Sequence, residues 1–351
     1  MTSITLVLTY ACNQNCLYCY QIKKDIKMDF ATAKKTIDYF SQKGNGEAVI
    51  NLYGGEPLLE FELMKKIISY GLEIFKKNEC RLRFSLTTNG SLFDRERLAY
   101  CAEYDVDIYL SIDGDRNTHE SGRGKNSFRT VENVLALYED FPEIPLKIQM
   151  VITPSNVCCL LQSVQYLVSI GVCDLSLNLC YDQKWNKKEL ETLQEQYHQA
   201  YTYLRKVRKE GSKIQFKEKR SPDPLDPLFR CDAGGNRYAI TPDGFIYGCS
   251  MHIPWSKKAA KLGTAHHFSD LCLGHVNDLS KNKISERSAE LSMDKRLFGQ
   301  YFFRTSTTKC RECDFITKCD LCPAYAMIFN EDQYLVPDWI CELKRVECRI
   351  Q

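Results

Sequence analysis

Six short β-rich runs alternate with helical segments in the first half of this 351-residue chain. Segments between the runs, such as residues 61–77 and 127–140, repeat apolar side chains at positions i, i+3, i+4 and i+7, the spacing of an amphipathic helix. This alternation predicts βα units and a parallel sheet in an α/β fold. Six units do not close the usual eight-stranded barrel, so we expect an open, partial (β/α)6 TIM-like barrel. The runs cover residues 4–9, 48–53, 81–87, 107–112, 146–152 and 174–179.

A proline-rich segment at residues 221–227 is the best candidate for a linker. Upstream of it, residues 187–211 are charged and amphipathic, and they predict a surface helix that ends at Gly211. Because 351 residues is long for one domain, we expect two units. The barrel would cover residues 1–220 and a C-terminal module residues 221–351.

Three cysteines close to the N-terminus, Cys12, Cys16 and Cys19, have the spacing C-x3-C-x2-C. One loop thus supplies three thiolates, whereas a cubane iron–sulfur cluster has four irons to ligate. One iron is left open, and a small molecule can chelate it. A zinc knuckle is the alternative, but zinc prefers a fourth Cys or His within a few residues, and none follows there.

Glycines and short polar residues follow the β-rich runs, at the positions where βα barrels carry their functional side chains. Glycine lets a backbone approach a ligand closely, a carboxylate accepts a hydrogen bond from an ammonium group, and hydroxyl or amide groups suit a ribose or a carboxylate. The residues are Gly54, Gly55, Glu56 and Pro57 after the second run, Thr88 and Asn89 after the third, Ser111 and Asp113 after the fourth, and Asn178 in the sixth.

The cysteine spacing and the order of these turns resemble the signature of the radical S-adenosylmethionine (radical SAM) enzymes. The resemblance implies that the three cysteines hold a [4Fe-4S] cluster whose open iron binds the amino and carboxylate groups of SAM. It also implies that the strand-end residues named above bind SAM. Glu56 is expected to accept a hydrogen bond from the SAM ammonium group and to act in binding rather than in folding.

Residues 113–123 resemble the DG…H…R stretch of peptide-modifying members of that family. The resemblance implies that Arg123 pairs with the carboxylate of SAM or with a carboxylate of the substrate. A solvated surface arginine is the alternative. His119 is expected to be a structural hydrogen-bonding residue.

Seven cysteines form a spaced array after residue 230. The chain has eighteen cysteines and no secretion signal, which favours metal ligation over disulfides because the cytosol keeps thiols reduced. The array resembles the SPASM domain that is attached to radical SAM enzymes acting on peptides and proteins. Zinc sites are the alternative. The seven are Cys231, Cys249, Cys310, Cys313, Cys319, Cys322 and Cys341.

This second resemblance implies two auxiliary clusters, and so three [4Fe-4S] clusters in the chain. One implied ligand set consists of Cys231, Cys249 and Cys322 and lacks a fourth protein ligand. Either Cys272 supplies that ligand, or one iron of this second auxiliary cluster is open to substrate. The other implied ligand set is Cys310, Cys313, Cys319 and Cys341.

Upstream in the same module, residues 238–241 and 245–247 flank a turn at Gly244 and predict a β-hairpin.

The net charge of +2 gives no electrostatic case for binding nucleic acid or an anionic membrane. No apolar run approaches the roughly 20 residues that cross a bilayer. The first residues lack the basic start and the small-residue cleavage site of a signal peptide. We therefore expect a cytoplasmic protein.

The two resemblances imply a maturase that abstracts a hydrogen atom from a ribosomally made precursor peptide and forms a thioether or carbon–carbon crosslink. An anaerobic sulfatase-maturating enzyme is the first alternative, although those enzymes have an Asp where Ser250 follows Cys249. A non-catalytic iron–sulfur electron carrier or a zinc-binding scaffold is the second. Expected partners are the precursor peptide and a flavodoxin or ferredoxin as reductant. Only eleven residues precede Cys12, so binding of a leader peptide is expected to use the barrel, the C-terminal module or a separate leader-binding protein.

Overall fold

Six parallel strands, β1 to β6, form the centre of the sheet and lie in chain order. They match the six runs predicted from the sequence, so the α/β class is confirmed. The computed structural model describes residues 1–43, 46–216, 233–269, 271–279, 284, 286, 287, 290, 310, 312–316, 319, 322–329 and 336–350. The strand bounds are Thr2–Thr9, Glu47–Gly54, Arg81–Thr88, Val106–Ser111, Lys147–Ile152 and Asp174–Leu179.

Four shorter strands extend this sheet on both sides. On one side β7 pairs in parallel with β6, and on the other β8 pairs in parallel with β1. β9 and β10 continue the sheet beyond β8 in antiparallel pairs, which confirms the predicted hairpin. In the part of the chain that the structure describes, β7 and β10 are the two edges, so the barrel is open as predicted. The bounds are Gln215–Phe216, Arg237–Ile240, Phe245–Tyr247 and Cys272–His275 for β7 to β10.

The C-terminal part of the chain therefore continues the sheet of the barrel, because its strand β8 is hydrogen-bonded to β1. Ser3 and Leu6 of β1 lie in register with Arg237 and Ile240 of β8. The predicted domain boundary after residue 220 lies outside the described residues.

Helices connect the strands and bury their apolar faces on the sheet. The second helix, for example, buries Phe61, Met64, Ile68 and Phe75 at helical spacing. Among the described residues, no helix combines the length and the hydropathy needed to cross a membrane. The helices are α1 Phe30–Lys43, α2 Phe61–Lys77, α3 Arg95–Glu103, α4 Arg116–Arg123, α5 Phe128–Tyr138, α6 Leu160–Ser169, α7 Lys187–Lys209, α8 Lys257–Leu262, α9 His266–Ser269, α10 Pro323–Phe329 and α11 Asp338–Ile350.

Alternation along each strand separates an apolar face from a polar one. In β3, Phe84 and Leu86 are buried in the core with the helices, while Ser85 points to the other face and donates to Asn51 Oδ1 at 2.6 Å. Successive side chains of a strand point to opposite faces. The polar face therefore lines the inside of the open barrel, and it reaches the carboxyl ends of the strands.

Replacing Phe84 by Ala tests the position of the core. Phe84 is 1% exposed in the centre of the sheet, and removing such a buried aromatic ring costs about 3–5 kcal/mol of unfolding free energy. Phe245→Ala is the matched control, because Phe245 is 43% exposed on β9 and is expected to cost less than about 1 kcal/mol. Urea unfolding of both variants measures the difference. Equal losses would contradict this assignment of the core.

Candidate active site

A cavity of about 330 Å³ opens at the carboxyl ends of the parallel strands. The cysteine loop that follows β1 forms one wall, and all three of its cysteines line the cavity. Glu56, Pro57 and Asp113 do not line it and lie behind its surface, at 0–1% exposure for the two carboxylates. The other predicted SAM-binding residues line the cavity: Gly54, Gly55, Thr88, Asn89, Ser111, Arg123 and Asn178.

The three thiols surround the cavity without converging on one point. No group of three His, Cys, Asp or Glu side chains in the described residues is close enough to hold a single metal ion. The thiols nevertheless interact electrostatically with one another. In a cubane each protein thiolate ligates a different iron, so its ligands are spread further apart than those of one ion. Cys12, Cys16 and Cys19 therefore stay the predicted ligands of a cluster.

Polar groups beside Cys12 and Cys16 act on the pKa values of their thiols. Burial raises the pKa of the Cys12 and Cys16 thiols. The Gln14 N–H, which donates to Cys12 Sγ at 3.4 Å, acts against this rise for Cys12, and the Arg123 cation does so for Cys16. Metal binding requires thiolates. These donors therefore favour the form of the cysteines that ligates iron.

The two glycines after β2 pack against the backbone that leads into the cysteine loop. A Cβ on Gly54 would lie 2.3 Å from the Thr9 oxygen, and one on Gly55 would lie 2.1 Å from the Ala11 oxygen. Gly55 N donates to Thr9 O and Glu56 N donates to Ala11 O, each at 2.9 Å. The sequence suggested glycines that admit a ligand. The structure gives them a second purpose, since they join the first two strand-end loops.

Glu56 is a structural carboxylate. It is 1% exposed and accepts hydrogen bonds from Leu58 N at 3.1 Å, Thr88 Oγ1 at 2.7 Å and Asn89 N at 2.8 Å. Burial raises its pKa, and these three donors oppose the rise. The sequence predicted that Glu56 acts in binding rather than in folding; these contacts indicate a structural contribution as well, because its side chain ties the ends of β2 and β3 together. Its role toward SAM stays a prediction.

Asn89 connects the third strand end to the cysteine loop. Its Nδ2 donates to Asn13 Oδ1 at 2.9 Å and lies 4.0 Å from Cys12 Sγ. Its backbone N–H is held by Glu56. The amide side chain of Asn89 is thereby fixed beside a predicted cluster ligand.

Arg123 points into the cavity from the end of α4. It is 8% exposed, which excludes the alternative of a solvated surface arginine. Its Nε and Nη2 donate to the two carboxylate oxygens of Asp113 at 2.8 and 3.2 Å. Its guanidinium is thus a fixed cation beside Cys16, and the pKa of Arg123 is raised by Asp113 against the effect of burial.

Asp182 is a cavity residue that the sequence did not single out. Burial raises the pKa of this carboxyl to about 6, and Lys258 partly opposes the rise. Its Oδ1 is buried without a hydrogen-bond partner among the described residues. The only sequence signal was its place just after β6, where an acidic residue looks like any turn residue.

The far wall of the cavity comes partly from the C-terminal part of the chain. Met251 and Tyr325 line it, together with Tyr181, whose ring stacks on that of Tyr325 at 4.4 Å between centroids. Tyr181 also donates to Glu347 Oε2 of α11 at 2.9 Å. The cavity therefore lies between the barrel and the elements that carry the C-terminal cysteines.

The C-terminal cysteines lie on several elements. Cys249 lines a separate cavity of about 310 Å³ beside β1 and β8, while Cys231 lies outside the described residues. Cys313 N donates to Cys310 O at 3.2 Å. Arg345 of α11 hydrogen-bonds the Cys313 side chain and interacts electrostatically with Cys341.

Four further described cysteines lie in this part, and one of them, Cys348, is buried on α11. Cys319 and Cys322 pack partly buried against the main core. Cys272 begins β10, contacts Gly274 O through its sulfur at 3.4 Å, and packs against a small cluster that contains Val7, Tyr247 and Trp255.

Glu56→Ala tests the structural role of the buried carboxylate. The variant leaves a hydroxyl and two N–H groups without their acceptor, so we expect a loss of about 3 kcal/mol in unfolding free energy. Glu60→Ala is the control, because Glu60 makes only a 4.0 Å ion pair with the exposed Lys27 and is expected to cost less than about 1 kcal/mol. Urea unfolding of the cluster-free protein measures both. If both variants lost a similar amount of unfolding free energy, the Glu56 hydrogen bonds would add no stability beyond that of a surface ion pair.

His119 is expected to make stability depend on pH. It accepts a hydrogen bond from Asp113 N at 3.3 Å, in line with the structural role expected from the sequence. Burial lowers its pKa from 6.5 to about 4, with Arg123 acting in the same direction and Asp113 against it. The unfolded chain therefore binds more protons between these values, and stability falls as the pH drops through that window.

Replacing His119 by Gln should make this dependence less steep. Urea unfolding of the cluster-free variant at pH 7 and pH 5 gives the measurement. His266→Gln is the control, because His266 is exposed. Its unfolding free energy is expected to change between pH 7 and pH 5 as much as that of the original protein. An unchanged slope in His119→Gln would contradict the assigned cause.

Comparisons with known proteins agree with this geometry. The sequence matches the radical SAM superfamily over residues 6–167. An uncharacterized protein of Methanocaldococcus jannaschii is 31% identical over 290 residues, which cover 81% of this chain and 92% of that protein. The mycofactocin maturase MftC of Mycolicibacterium smegmatis is 27% identical over 263 residues, which cover 71% of this chain and 64% of MftC.

The fold is also that of a solved sulfatase maturase. The structure of anSMEcpe with bound AdoMet and the Cp18Cys peptide has a TM-score of 0.77 and 18% sequence identity, covering 99% of this chain and 96% of that one. At this identity the likeness concerns the fold alone. The cysteine-rich C-terminus fits a SPASM domain. The chain belongs to the radical SAM superfamily, whose members use SAM and a [4Fe-4S] cluster.

Proposed function

We propose that this radical SAM enzyme is a maturase of a ribosomally made precursor peptide and forms an intramolecular thioether or carbon–carbon crosslink. The observation that carries the proposal is the shared cavity: the three loop cysteines and Tyr325, just after Cys322, line the same cavity. A peptide side chain in this cavity lies between the SAM site and the C-terminal cysteines. MftC, a maturase by name, supports the same class of substrate.

In this proposal Cys12, Cys16 and Cys19 hold the cluster that binds SAM. The bound cluster and SAM supply the 5′-deoxyadenosyl radical that abstracts a hydrogen atom. Arg123 faces the SAM carboxylate, since its guanidinium is the cation fixed at this wall by Asp113. Ser111, Asn89 and Asn178 offer hydroxyl and amide groups to the rest of SAM.

The remaining residues of the cavity would act on the peptide. Tyr181 and Tyr325 present a stacked aromatic wall that excludes water from the reacting carbon. Asp182 has an unpaired carboxylate oxygen and a pKa raised to about 6 by burial. A carboxylate of this kind can accept the proton that leaves the substrate when a new bond forms.

The C-terminal cysteines would hold two auxiliary clusters that take up the electron left on the substrate. Arg345, which contacts Cys313 and lies near Cys341, supports placing these two in one set with Cys310 and Cys319. Cys231, Cys249 and Cys322 form the other set. The Cys272 sulfur is engaged with Gly274 O, which favours an open iron in that set over ligation by Cys272.

The two alternative functions, a sulfatase-maturating enzyme and a non-catalytic electron carrier, make different demands on the cavity residues and on SAM. A sulfatase-maturating activity is disfavoured because Ser250 replaces the family's Asp, although Asp182 is a carboxylate in the cavity that could replace it as a base. A non-catalytic electron carrier has no need of SAM, so SAM cleavage by the reduced protein separates it from an enzyme. A flavodoxin or ferredoxin would supply the electrons that reduce the SAM-binding cluster.

The mass of the modified peptide tests the proposed reaction. The reconstituted enzyme is incubated without oxygen with SAM, a reductant and the peptide encoded beside its gene. We expect a product lighter by two hydrogens, because one hydrogen atom, one electron and one proton leave when a crosslink forms. Tandem mass spectrometry should place the change between two side chains. A product of unchanged mass indicates epimerisation, and formylglycine indicates the sulfatase reaction; either result contradicts crosslinking.

Cysteine variants distinguish the clusters in the same assay. Cys322→Ala is expected to leave part of the SAM cleavage and remove the crosslink, because hydrogen abstraction precedes disposal of the electron. Cys173→Ala, at a half-buried position before β6, is the control and should keep both. A Cys322→Ala enzyme that still forms the crosslink would show that the second auxiliary cluster is dispensable.

A further inference from the structure

The cysteine loop lies on the end of helix α4. Leu17 N, between two of the cysteines, donates to Gly122 O at 2.8 Å. The next residue, Tyr18, packs its ring on the same turn, where a Cβ on Gly122 would lie 2.8 Å from Tyr18 Cε1. Arg123 lies over the Tyr18 ring at 5.5 Å from its centroid. The loop thus packs closely against the last turn of α4, and a larger residue at position 122 would displace the Tyr18 ring.

Asp113 is the acceptor at the centre of this contact. Its Oδ2 accepts from Arg123 Nε at 2.8 Å and from the Tyr18 hydroxyl, and its Oδ1 accepts from Val151 N at 3.0 Å and Arg123 Nη2 at 3.2 Å. The residue is 0% exposed. An ionised carboxylate has about four lone-pair sites, and these four donors use them. No acceptor capacity is left for SAM.

We propose that Asp113 is a positioning residue that fastens the cysteine loop to α4 through Tyr18 and aims Arg123 into the cavity. One carboxylate thereby joins β5, through Val151, to α4 and the cysteine loop. These protein contacts hold the loop against α4. The inference rests on the proposed SAM site and replaces the predicted direct contact between Asp113 and SAM.

The chemistry of the three groups agrees with positioning. The Tyr18 hydroxyl donates to Asp113 Oδ2, and the Tyr18 ring packs against Gly122. A buried ion pair contributes little net stability against a well-packed apolar pair. The Asp113–Arg123 pair instead fixes the orientation of Arg123, because the bidentate contact holds the plane of the guanidinium.

Tyr18→Phe is the sharpest variant, because it removes one hydroxyl and keeps the ring. In the cluster-free protein, amide hydrogen exchange of the segment around Leu17 should speed up about tenfold, as expected for the loss of a hydrogen bond to a charged acceptor. In the reconstituted protein, the Kd for SAM should rise by a similar factor. Asp113→Asn should show both effects more strongly.

Asp115→Ala is the matched control, since Asp115 caps the other end of α4 by accepting from Thr118 N at 3.0 Å. It should lower the melting temperature without changing exchange at Leu17. The proposal is overturned if Tyr18→Phe has the same amide exchange rate around Leu17 and the same Kd for SAM as the original protein. It is also overturned if the exchange rate around Leu17 rises no more in Tyr18→Phe than in Asp115→Ala. If the original protein itself fails to bind SAM, the proposed site is wrong, while the exchange comparison still decides the role of Asp113.

Discussion

The close contact between the loop after β2 and the chain that leaves β1 is the constraint on which the site depends. Side chains at Gly54 and Gly55 would collide with the Thr9 and Ala11 oxygens. Because both positions are glycine, the two loops share backbone hydrogen bonds, and the buried Glu56 carboxylate extends the connection to Asn89 after β3. Three strand ends are thereby fixed around one cavity, with the three cysteines at its wall.

A second buried carboxylate organises the other side of the cysteine loop. Asp113 holds Arg123 and Tyr18 as Glu56 holds Thr88 and Asn89. Each carboxylate sits behind the cavity wall, and the groups that it fixes face the cavity. The cysteine loop is therefore supported from two directions by buried carboxylates that do not line the cavity.

The strands and the cavity-lining residues could be predicted because both follow from simple rules. Apolar alternation gave six strands, and the rule that barrels use their strand ends gave residues such as Ser111 and Asn89. The rule does not say which way a side chain points. Glu56 and Asp113 look like ligands in the sequence, but both are buried behind the cavity wall and accept hydrogen bonds from three and four protein donors, respectively. Asp182 could not be distinguished from an ordinary turn residue, since its raised pKa arises from burial in the folded chain.

The most direct test of the account is the low-temperature electron paramagnetic resonance spectrum of the reduced, reconstituted enzyme with and without SAM. If Cys12, Cys16 and Cys19 leave one iron open, SAM labelled with ¹⁵N at its amino group should change the cluster signal and show hyperfine coupling to the label. The triple Ala variant of these cysteines should lose that signal and keep the others. A spectrum that SAM leaves unchanged, with no coupling to the label, would contradict the claim that this cavity is a SAM site.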